Sequence, residues 1–396
     1  MIQERVFIEK SIQENKIQMI KFELNKLFGF CLAYSFIFYY YLGSFRVIIL
    51  CCYILLLLFA LYYILKESLS LSLFNLCIIL TFVALFLISF VKYDSIILYL
   101  LSFRLNFGFL VILAGFMCIP SPNLEKIFIF LAFITILDKL LIMLYPNAIY
   151  ILANYDSGIT FNTRQASSLF GGMHSFGGNR SVSAIILLSG FFYLKNKKDS
   201  AYHKRILLLF SSFWCMSGSA FWLFNAWLLY RLLNYFKGFG SVRFFITILG
   251  VLFGIFLYLK SIEILGDFDD RFSLIYVQYI FEYKLGQIEY HFSQFSLIDY
   301  IVGLGDLGFS EGKDASSGIG GVAGDFMLLD FFVRFGIAGL MLYVFVLYNS
   351  MKGPSSAAIA VIIISIIHYH AAFSAIGQLI LALLIKENFL NKKLRN

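Results

Sequence analysis

Residues Ser261–Asp325 have the sequence SIEILGDFDDRFSLIYVQYIFEYKLGQIEYHFSQFSLIDYIVGLGDLGFSEGKDASSGIGGVAGD, a polar segment within an otherwise apolar chain. These 65 residues include 11 of the 23 acidic residues but only 3 of the 31 Lys and Arg residues. The segment therefore has a formal charge of −8, and the remainder of the chain has +16. Long loops poor in basic residues lie outside the cytoplasm, whereas Lys and Arg concentrate in short cytoplasmic loops. The segment predicts one large external loop.

The rest of the chain has the composition of a helical membrane protein. Its 396 residues are 61% apolar and 14% charged, with a mean hydropathy of +0.85. Apolar runs of spanning length recur, and they are too continuous for the alternating strands of a β-barrel. We therefore expect an all-α, polytopic integral membrane protein in contact with the lipid bilayer. The net charge of +8 is interpreted as a topology signal, and no nucleic-acid partner is expected.

About twelve transmembrane helices are predicted, with both termini in the cytoplasm. Basic clusters after Leu194, after Leu233 and at the C-terminus then all lie inside. Ile206–Leu233 is short for two crossings, which predicts a turn at Ser217-Gly218-Ser219 sunk below the outer surface. The predicted spans are Leu27–Leu42, Val47–Leu65, Leu71–Val91, Ile96–Cys118, Ile127–Leu144, Ser181–Leu194, Ile206–Ser217, Ala220–Leu233, Phe244–Tyr258, Phe326–Tyr348, Ala357–Ile367 and Gln378–Ile385.

The chain is predicted to form a single membrane domain over residues 1–396. Residues 1–26 are expected to be a cytoplasmic N-terminal segment, because they lack the pattern of a cleavable signal peptide. Residues 145–180 form a first external loop, and residues 261–325 form the large one. The eight glycines from Gly303 to Gly324 are typical of a mobile loop over a ligand or of a disordered connector.

Charged residues occur at similar depth in the outer halves of several predicted spans. They are Arg104, Asp138, Lys139, Asp330 and Arg334. Such residues are costly in lipid and are paired or functional. Asp330 and Arg334 are four residues apart on one helix face and can pair directly. Two interpretations stay open: an ion-pair layer that fixes helix packing, or a cationic pocket that opens outward and binds a lipid-linked diphosphate.

Basic residues also border the first external loop. Arg164 and Arg180 flank the Gly-rich sequence FGGMHSFGG, which contains His174. The backbone N–H groups of such a stretch before a helix can bind an anion, although Walker spacing is absent. His368 and His370 lack a third ligand, and no cysteines have CxxC spacing, so neither a metal site nor a disulfide is expected.

Short motifs occur in a defined order around the two external loops. In order, they are Arg164, Gly172, Asn179, Ser217-Gly218-Ser219, Asp270-Arg271-Phe272, Val302-Gly303-Leu304-Gly305, Gly324-Asp325-Phe326 and the sequence VRFGIAGL at residues 333–340. Between Arg164 and Leu340 this order resembles the bacterial O-antigen polymerase and O-antigen ligase superfamily. The ligase pattern has a His where this chain has Asp325-Phe326, which favours a polymerase.

The resemblance implies a GT-C-like glycosyltransferase in the bacterial inner membrane, with its active site facing the periplasm and without a metal or other cofactor. Undecaprenyl-diphosphate-linked oligosaccharide would be both donor and acceptor, for O-antigen or a similar surface polysaccharide. A chain-length regulator protein would be a further partner. Polymerases transfer the growing chain to the next repeat unit, whereas ligases transfer it to lipid A-core.

The candidate site residues have distinct expected roles in this chemistry. Arginines would stabilise the departing diphosphate, and a carboxylate or imidazole would accept the proton of the acceptor hydroxyl. The resemblance assigns the diphosphate to Arg164 and Arg271, with Arg180 and Arg334 as additional candidates. Asp325 is the first candidate for the base, and His291 is the second. Weaker candidates for glycan contacts are His174, Gly303 and Gly305.

A flippase or secondary transporter is the alternative of another class, because it commonly has about twelve spans as well. Transporters usually place charged sites at the membrane midplane and often contain paired repeats. Neither feature is clear in this sequence, and alternating access does not require so large an external loop. The sequence therefore favours a polymerase, followed by a ligase of the same superfamily and then a transporter.

Overall fold

The computed structural model of this chain describes part of the sequence, and helices are the only regular elements within that part. The prediction of an all-helical fold is therefore confirmed for these residues. The described residues are 23, 25–38, 51–56, 58–59, 107–117, 119–144, 180–197, 200–215, 217, 220–221, 223–225, 227–228, 231, 282, 285–286, 288–289, 292–293, 295–303, 327–351, 353–367 and 371–393.

The helices that can be bounded within these residues are numbered here in chain order. They are α1 (Asn25–Phe38), α2 (Phe107–Met117), α3 (Leu124–Leu144), α4 (Arg180–Asn196), α5 (Tyr202–Trp214), α6 (Leu297–Val302), α7 (Met327–Ser350), α8 (Ser356–Ile364) and α9 (Ala375–Lys393). A 3₁₀ turn, Ser365–Ile367, follows α8.

Two helices in the described ranges are long and apolar enough to cross a membrane by length and composition. They are α3, with 21 residues, and the segment Phe331–Tyr348 within α7, with 18 residues. Along α3, Phe133, Leu137 and Leu140 are exposed, as expected for a helix with one face toward lipid. These helices agree with membrane association. The other predicted spans and the loop boundaries remain predictions.

Helix α4 lies at the centre of the packed helices. Of its 17 residues 13 are buried, and it contacts α3, α5, α8 and α9. A helix that is apolar on all sides is stable only when it is surrounded, so this arrangement follows from the sequence of α4. The two ends of α4 are about 25 Å apart at 1.5 Å per residue, and polar residues gather at both ends.

Helix α7 differs from the continuous span predicted for Phe326–Tyr348. Its backbone is interrupted at Gly336, which has φ 61° and ψ −164°. Glycine has no Cβ and adopts such a conformation far more easily than other residues. The interruption directly follows Arg334 and Phe335, and it divides α7 into a short first part and a longer second part.

Helix α6 belongs to the predicted large external loop and packs against α7. It begins with a capping box in which the Asp299 carboxylate accepts a hydrogen bond from the backbone N–H of Ser296 at 2.9 Å. It ends at Gly303, which has φ 83°. The aromatic rings that pack between this segment and α7 are those of Phe292, Phe295, Tyr300 and Phe332.

Four segments that the predicted topology places in the cytoplasm meet at the C-terminal end of α4. They are the start of α3, the loop between α4 and α5, the start of α8 and the end of α9. The hydrogen bonds that join them are Lys197 Nζ to Glu125 (3.1 Å), Asn196 Nδ2 to Pro354 O (3.0 Å) and Tyr193 Oη to Glu387 Oε1 (3.1 Å). Spans that alternate in direction require these four segments to lie at one end of the packed helices. The arrangement is therefore compatible with the predicted topology.

Candidate functional site

A cluster of polar side chains lies at the other end of α4, where α4 begins, α5 ends and the second half of α3 packs against them. We call it the outer polar cluster, because the predicted topology places this end on the external side. Its members are Asp138, Lys139, Arg180, Ser181, Ser183, Ser211, Ser212 and Ser217. They come from three helices and from the turn that follows α5.

Serine hydroxyl groups connect α5 and its following turn to the first turns of α4. Ser217 Oγ donates a hydrogen bond to Ser181 Oγ at 3.0 Å, and Ser212 Oγ donates to the carbonyl oxygen of Ala184 at 2.7 Å. Ser217 Oγ also accepts a hydrogen bond from the backbone N–H of Ala220 at 3.5 Å, as an N-cap does. Ser217 is buried, in agreement with a turn below the outer surface.

The buried charge of the cluster comes from α3. Lys139 is fully buried, and both Asp138 and Lys139 interact electrostatically with Cys215, the residue after α5. The end of α5 therefore lies close to both residues. A buried ammonium group can form a structural ion pair or bind a buried anion.

Arg180 is the first residue of α4 and is partly buried. Its neighbour Ser181 bonds to Ser217, so two motifs that are 36 residues apart lie side by side. Ser211 adds a further polar group, because its Oγ is buried without a hydrogen-bond partner among the described residues. Buried hydroxyl groups are normally hydrogen-bonded, so Ser211 requires a partner that is not among these residues, such as a ligand or water.

A second group of predicted site residues lies where α6 meets the interruption of α7. A Cβ added at Gly303 would lie 2.6 Å from the backbone nitrogen of Phe335, and one added at Gly336 would lie 2.6 Å from the nitrogen of Gly303. Such distances are too short for any side chain, so the two backbones are in direct contact. Gly303 was predicted as a glycan contact, but this close packing accounts for a glycine there without a ligand.

Arg334 is held beside this contact and is only 3% exposed. On one side of it Val333 packs with Phe292 and Phe295, and on the other side Phe331 and Phe335 pack on Phe107 of α2 (ring centroids 5.5 and 5.2 Å apart). The arginine is thus buried in a segment whose neighbouring residues pack against aromatic rings on two sides. The predicted pair with Asp330 is not tested, because the Asp330 side chain is not described.

Most of the predicted site residues lie outside the described residues, and their roles remain predictions. They are Arg164, His174, Arg271, His291, Gly305 and Asp325. Arg180 and Arg334, the two described arginines of the predicted set, lie on different helices, α4 and α7, and α9 packs on both of these helices. In the described ranges, no group of three His, Cys, Asp or Glu residues could hold a metal ion.

Four serines of the outer polar cluster were not predicted from the sequence, whereas Ser217 belongs to the predicted motif Ser217-Gly218-Ser219. Their signal was present as hydroxyl residues near the ends of two apolar runs, at Ser181 and Ser183 and at Ser211 and Ser212. Serine is common in membrane helices, where its hydroxyl often bonds to its own helix. Only packing shows that Ser212 and Ser217 bond to α4 instead.

In comparisons with known proteins, no family model, no curated protein and no solved structure matches the chain. The resemblance to O-antigen polymerases and ligases therefore remains a prediction from motifs.

Proposed function

We propose that the protein is a membrane glycosyltransferase that polymerises undecaprenyl-diphosphate-linked repeat units at the periplasmic face of the bacterial inner membrane. The observation that carries this proposal is that motifs far apart in the sequence meet in pairs. Ser181, beside Arg180, bonds to Ser217, and Gly303 contacts the backbone at Phe335, next to Arg334. Contact within each of these two pairs is what a shared site requires, and contact between the two pairs stays a prediction.

The transfer requires stabilisation of a departing diphosphate. The bond between the glycan and the diphosphate oxygen breaks, a glycosidic bond forms to a hydroxyl of the acceptor repeat unit, and the hydroxyl proton passes to a base. Negative charge develops on the leaving diphosphate, and guanidinium groups bind its oxygens in bidentate fashion. Arg164, Arg180, Arg271 and Arg334 would provide these groups, and Asp325 or His291 would accept the proton.

The location of the outer polar cluster suits a substrate with a lipid tail. An undecaprenyl chain lies within the bilayer and holds its diphosphate near the membrane surface. Arg180 at the start of α4 and the buried Lys139 would present positive charge at the surface and below it. Buried hydroxyl groups such as that of Ser211 could donate to the same oxygens.

A ligase would use the same donor chemistry with lipid A-core as acceptor, and the sequence Asp325-Phe326 makes it the second candidate. A flippase or secondary transporter is the candidate of another class, and the interruption of α7 favours it. Transporters bind substrates at discontinuous helices, and here the interruption at Gly336 is next to the buried Arg334.

Deletion of the gene distinguishes a polymerase from the other two candidates in cells. Loss of the polysaccharide ladder with a single repeat unit retained on the lipid A-core is expected for a polymerase. Loss of every repeat unit from the core would instead indicate a ligase or a flippase, because neither transfer nor delivery would then occur. Complementation with the intact gene, at matched membrane levels, controls for effects on neighbouring genes.

A further inference from the structure

A cleft of about 500 Å³ opens between α1 and the start of α3, at the end of the helices opposite to the outer polar cluster. Its walls include Tyr34 of α1, the basic residues Lys126 and Lys204, and Phe130 and Phe133 of α3. None of these residues belongs to the proposed glycosyltransferase site. The cleft therefore requires an explanation of its own.

The cleft is basic at one end and aromatic at the other. Lys126 and Phe133 are seven residues apart on α3, which corresponds to about 10 Å along the helix. The ring centroids of Phe130 and Tyr34 are 5.1 Å apart and form a continuous apolar wall, while Phe133 is 58% exposed at the open end. A ligand that fills this space has to be amphiphilic.

The basic end keeps a net positive charge despite an acidic residue. The carboxylate of Glu125 binds both Lys197 Nζ at 3.1 Å and Lys204 Nζ at 2.5 Å. The Glu125 side chain is 18% exposed, compared with 39% and 37% for the two lysines, so the ammonium groups lie outermost. Together with the exposed Lys126 this group has two more positive charges than negative ones.

We infer that the cleft binds an anionic phospholipid from the cytoplasmic leaflet, with its phosphate on Lys126 and Lys204 and an acyl chain along Phe130 and Phe133. Basic pockets between membrane helices on the cytoplasmic side are suited to anionic headgroups, and the predicted topology places this end inside. The apolar half of the cleft favours a lipid over a soluble anion, which would leave that half exposed to water. The inference depends on membrane residence and not on the proposed glycosyl transfer.

Binding can be tested on the purified full-length protein with phosphatidylglycerol and phosphatidylcholine as probes. Native mass spectrometry should show preferential retention of phosphatidylglycerol, and thermal unfolding in nanodiscs should shift upward when phosphatidylglycerol is mixed with phosphatidylcholine. Lys126→Gln should weaken phosphatidylglycerol binding about fivefold, the effect of one lysine near an anionic surface. Lys126 is exposed, so this substitution is expected to leave the fold intact.

Lys195→Gln is the matched control, because it also removes one positive charge. Lys195 lies at the same end of the packed helices as Lys126 but outside the cleft. The Lys195 ammonium lies 3.6 Å from the ring centroid of Trp227. Equal binding by the wild type and Lys126→Gln, or an equal loss in both variants, would overturn the inference. An equal upward shift in thermal unfolding with inorganic phosphate would also overturn the inference, because the site would then bind a soluble anion. Polymer formation, measured in the same samples, reports on the proposed function separately.

Discussion

The buried charge of Lys386 lies where backbone carbonyl groups can bind it. Lys386 is nearly buried in α9, and its ammonium donates hydrogen bonds to the carbonyl oxygens of Phe116 and, at 3.2 Å, Ile119. These carbonyl groups lie at the end of α2, where the last helical carbonyls have no partner within the helix. A lysine is favourable there because of the negative end of the helix dipole.

Replacement of Lys386 should therefore destabilise the fold. Lys386→Met retains the length of the side chain but leaves two buried carbonyl oxygens without their charged donor, at a cost of about 2 kcal/mol. We expect a lower thermal midpoint in detergent than for the wild type. Lys126→Met, at an exposed position, is the control and should have a much smaller effect. Similar midpoints for Lys386→Met and the wild type would show that the buried contact is unimportant.

Glu387 provides a prediction for pH dependence. Burial raises the pKa of Glu387, against the opposing effects of the Tyr193 hydroxyl and of Lys197, and its Oε2 is buried without a hydrogen-bond partner among the described atoms. A raised pKa means that the protonated carboxyl is favoured in the folded state. Its contribution to stability is therefore complete below about pH 4.5 and is lost as pH rises through the folded pKa.

Glu387→Gln mimics the protonated form and should remove this dependence. The free energy of unfolding of the variant, relative to the wild type, should increase from about pH 4.5 upward and reach a plateau above the folded pKa. Denaturation series over this pH range measure the difference. A constant difference between the two proteins at all pH values would contradict the argument.

Arg180 is the described residue on which the proposed chemistry depends most directly. Arg180→Ala should reduce polymer formation at least tenfold, because a bidentate contact to the diphosphate contributes more than about 1.4 kcal/mol to the transition state. The rate of chain elongation in membranes with equal protein levels is the measurement. Arg231→Ala removes an arginine that lies over the Trp227 ring instead, and it should elongate normally. Normal elongation by Arg180→Ala would exclude Arg180 from diphosphate binding.

At the scale of the helices, the close contact between α6 and the interruption of α7 gives a specific prediction. Gly303→Ala places a methyl group against the backbone of α7 at a position with φ 83°, and it should cost more than about 2 kcal/mol. We expect lower stability and loss of polymer formation. Gly286→Ala is the matched control, because a Cβ at Gly286 meets no atom of the described residues within 4 Å. Stability and polymer formation equal to those of the wild type in both variants would contradict the close packing of α6 on α7.

The helices differ in how well the sequence predicted them. The spans Ile127–Leu144 and Ser181–Leu194 match α3 and α4 closely, because in each the apolar run and the helix are nearly the same segment. The helix at the predicted span Gln378–Ile385 is longer than the span, since α9 continues through Lys386, Glu387 and Asn388 to Lys393, and hydropathy does not detect polar residues within a helix.

The interruption of α7 could not be predicted, because a glycine in a membrane helix has no local feature that marks it as a break. Gly336 and Gly339 occur in the same apolar run, and only Gly336 has a positive φ. The backbone of α6, more than 30 residues away in the sequence, contacts Gly336. This contact determines which of the two glycines interrupts the helix. In the outer polar cluster, charged residues such as Lys139 and Arg180 could be found from the sequence. The serine contacts between helices could not, because they depend on packing.

For the whole molecule, the predicted topology can be tested by the accessibility of two opposite regions. In a variant without native cysteines, Gly286→Cys should react with a membrane-impermeant maleimide in intact spheroplasts, since Gly286 belongs to the loop that is predicted to be external. Tyr202→Cys, at the exposed start of α5, should react only after permeabilisation. The reverse pattern would place Ser261–Asp325 in the cytosol and contradict the proposed periplasmic site.

The central claim is tested most directly by reconstitution of the purified protein in detergent with a synthetic undecaprenyl-diphosphate-linked repeat unit. Detergent solution has no separate compartments, so products longer than one repeat unit cannot result from transport. A ladder of such products on a gel, weakened by Arg180→Ala and unchanged by Arg231→Ala, is the predicted result. Folded protein that yields no product longer than a single repeat unit would contradict the claim.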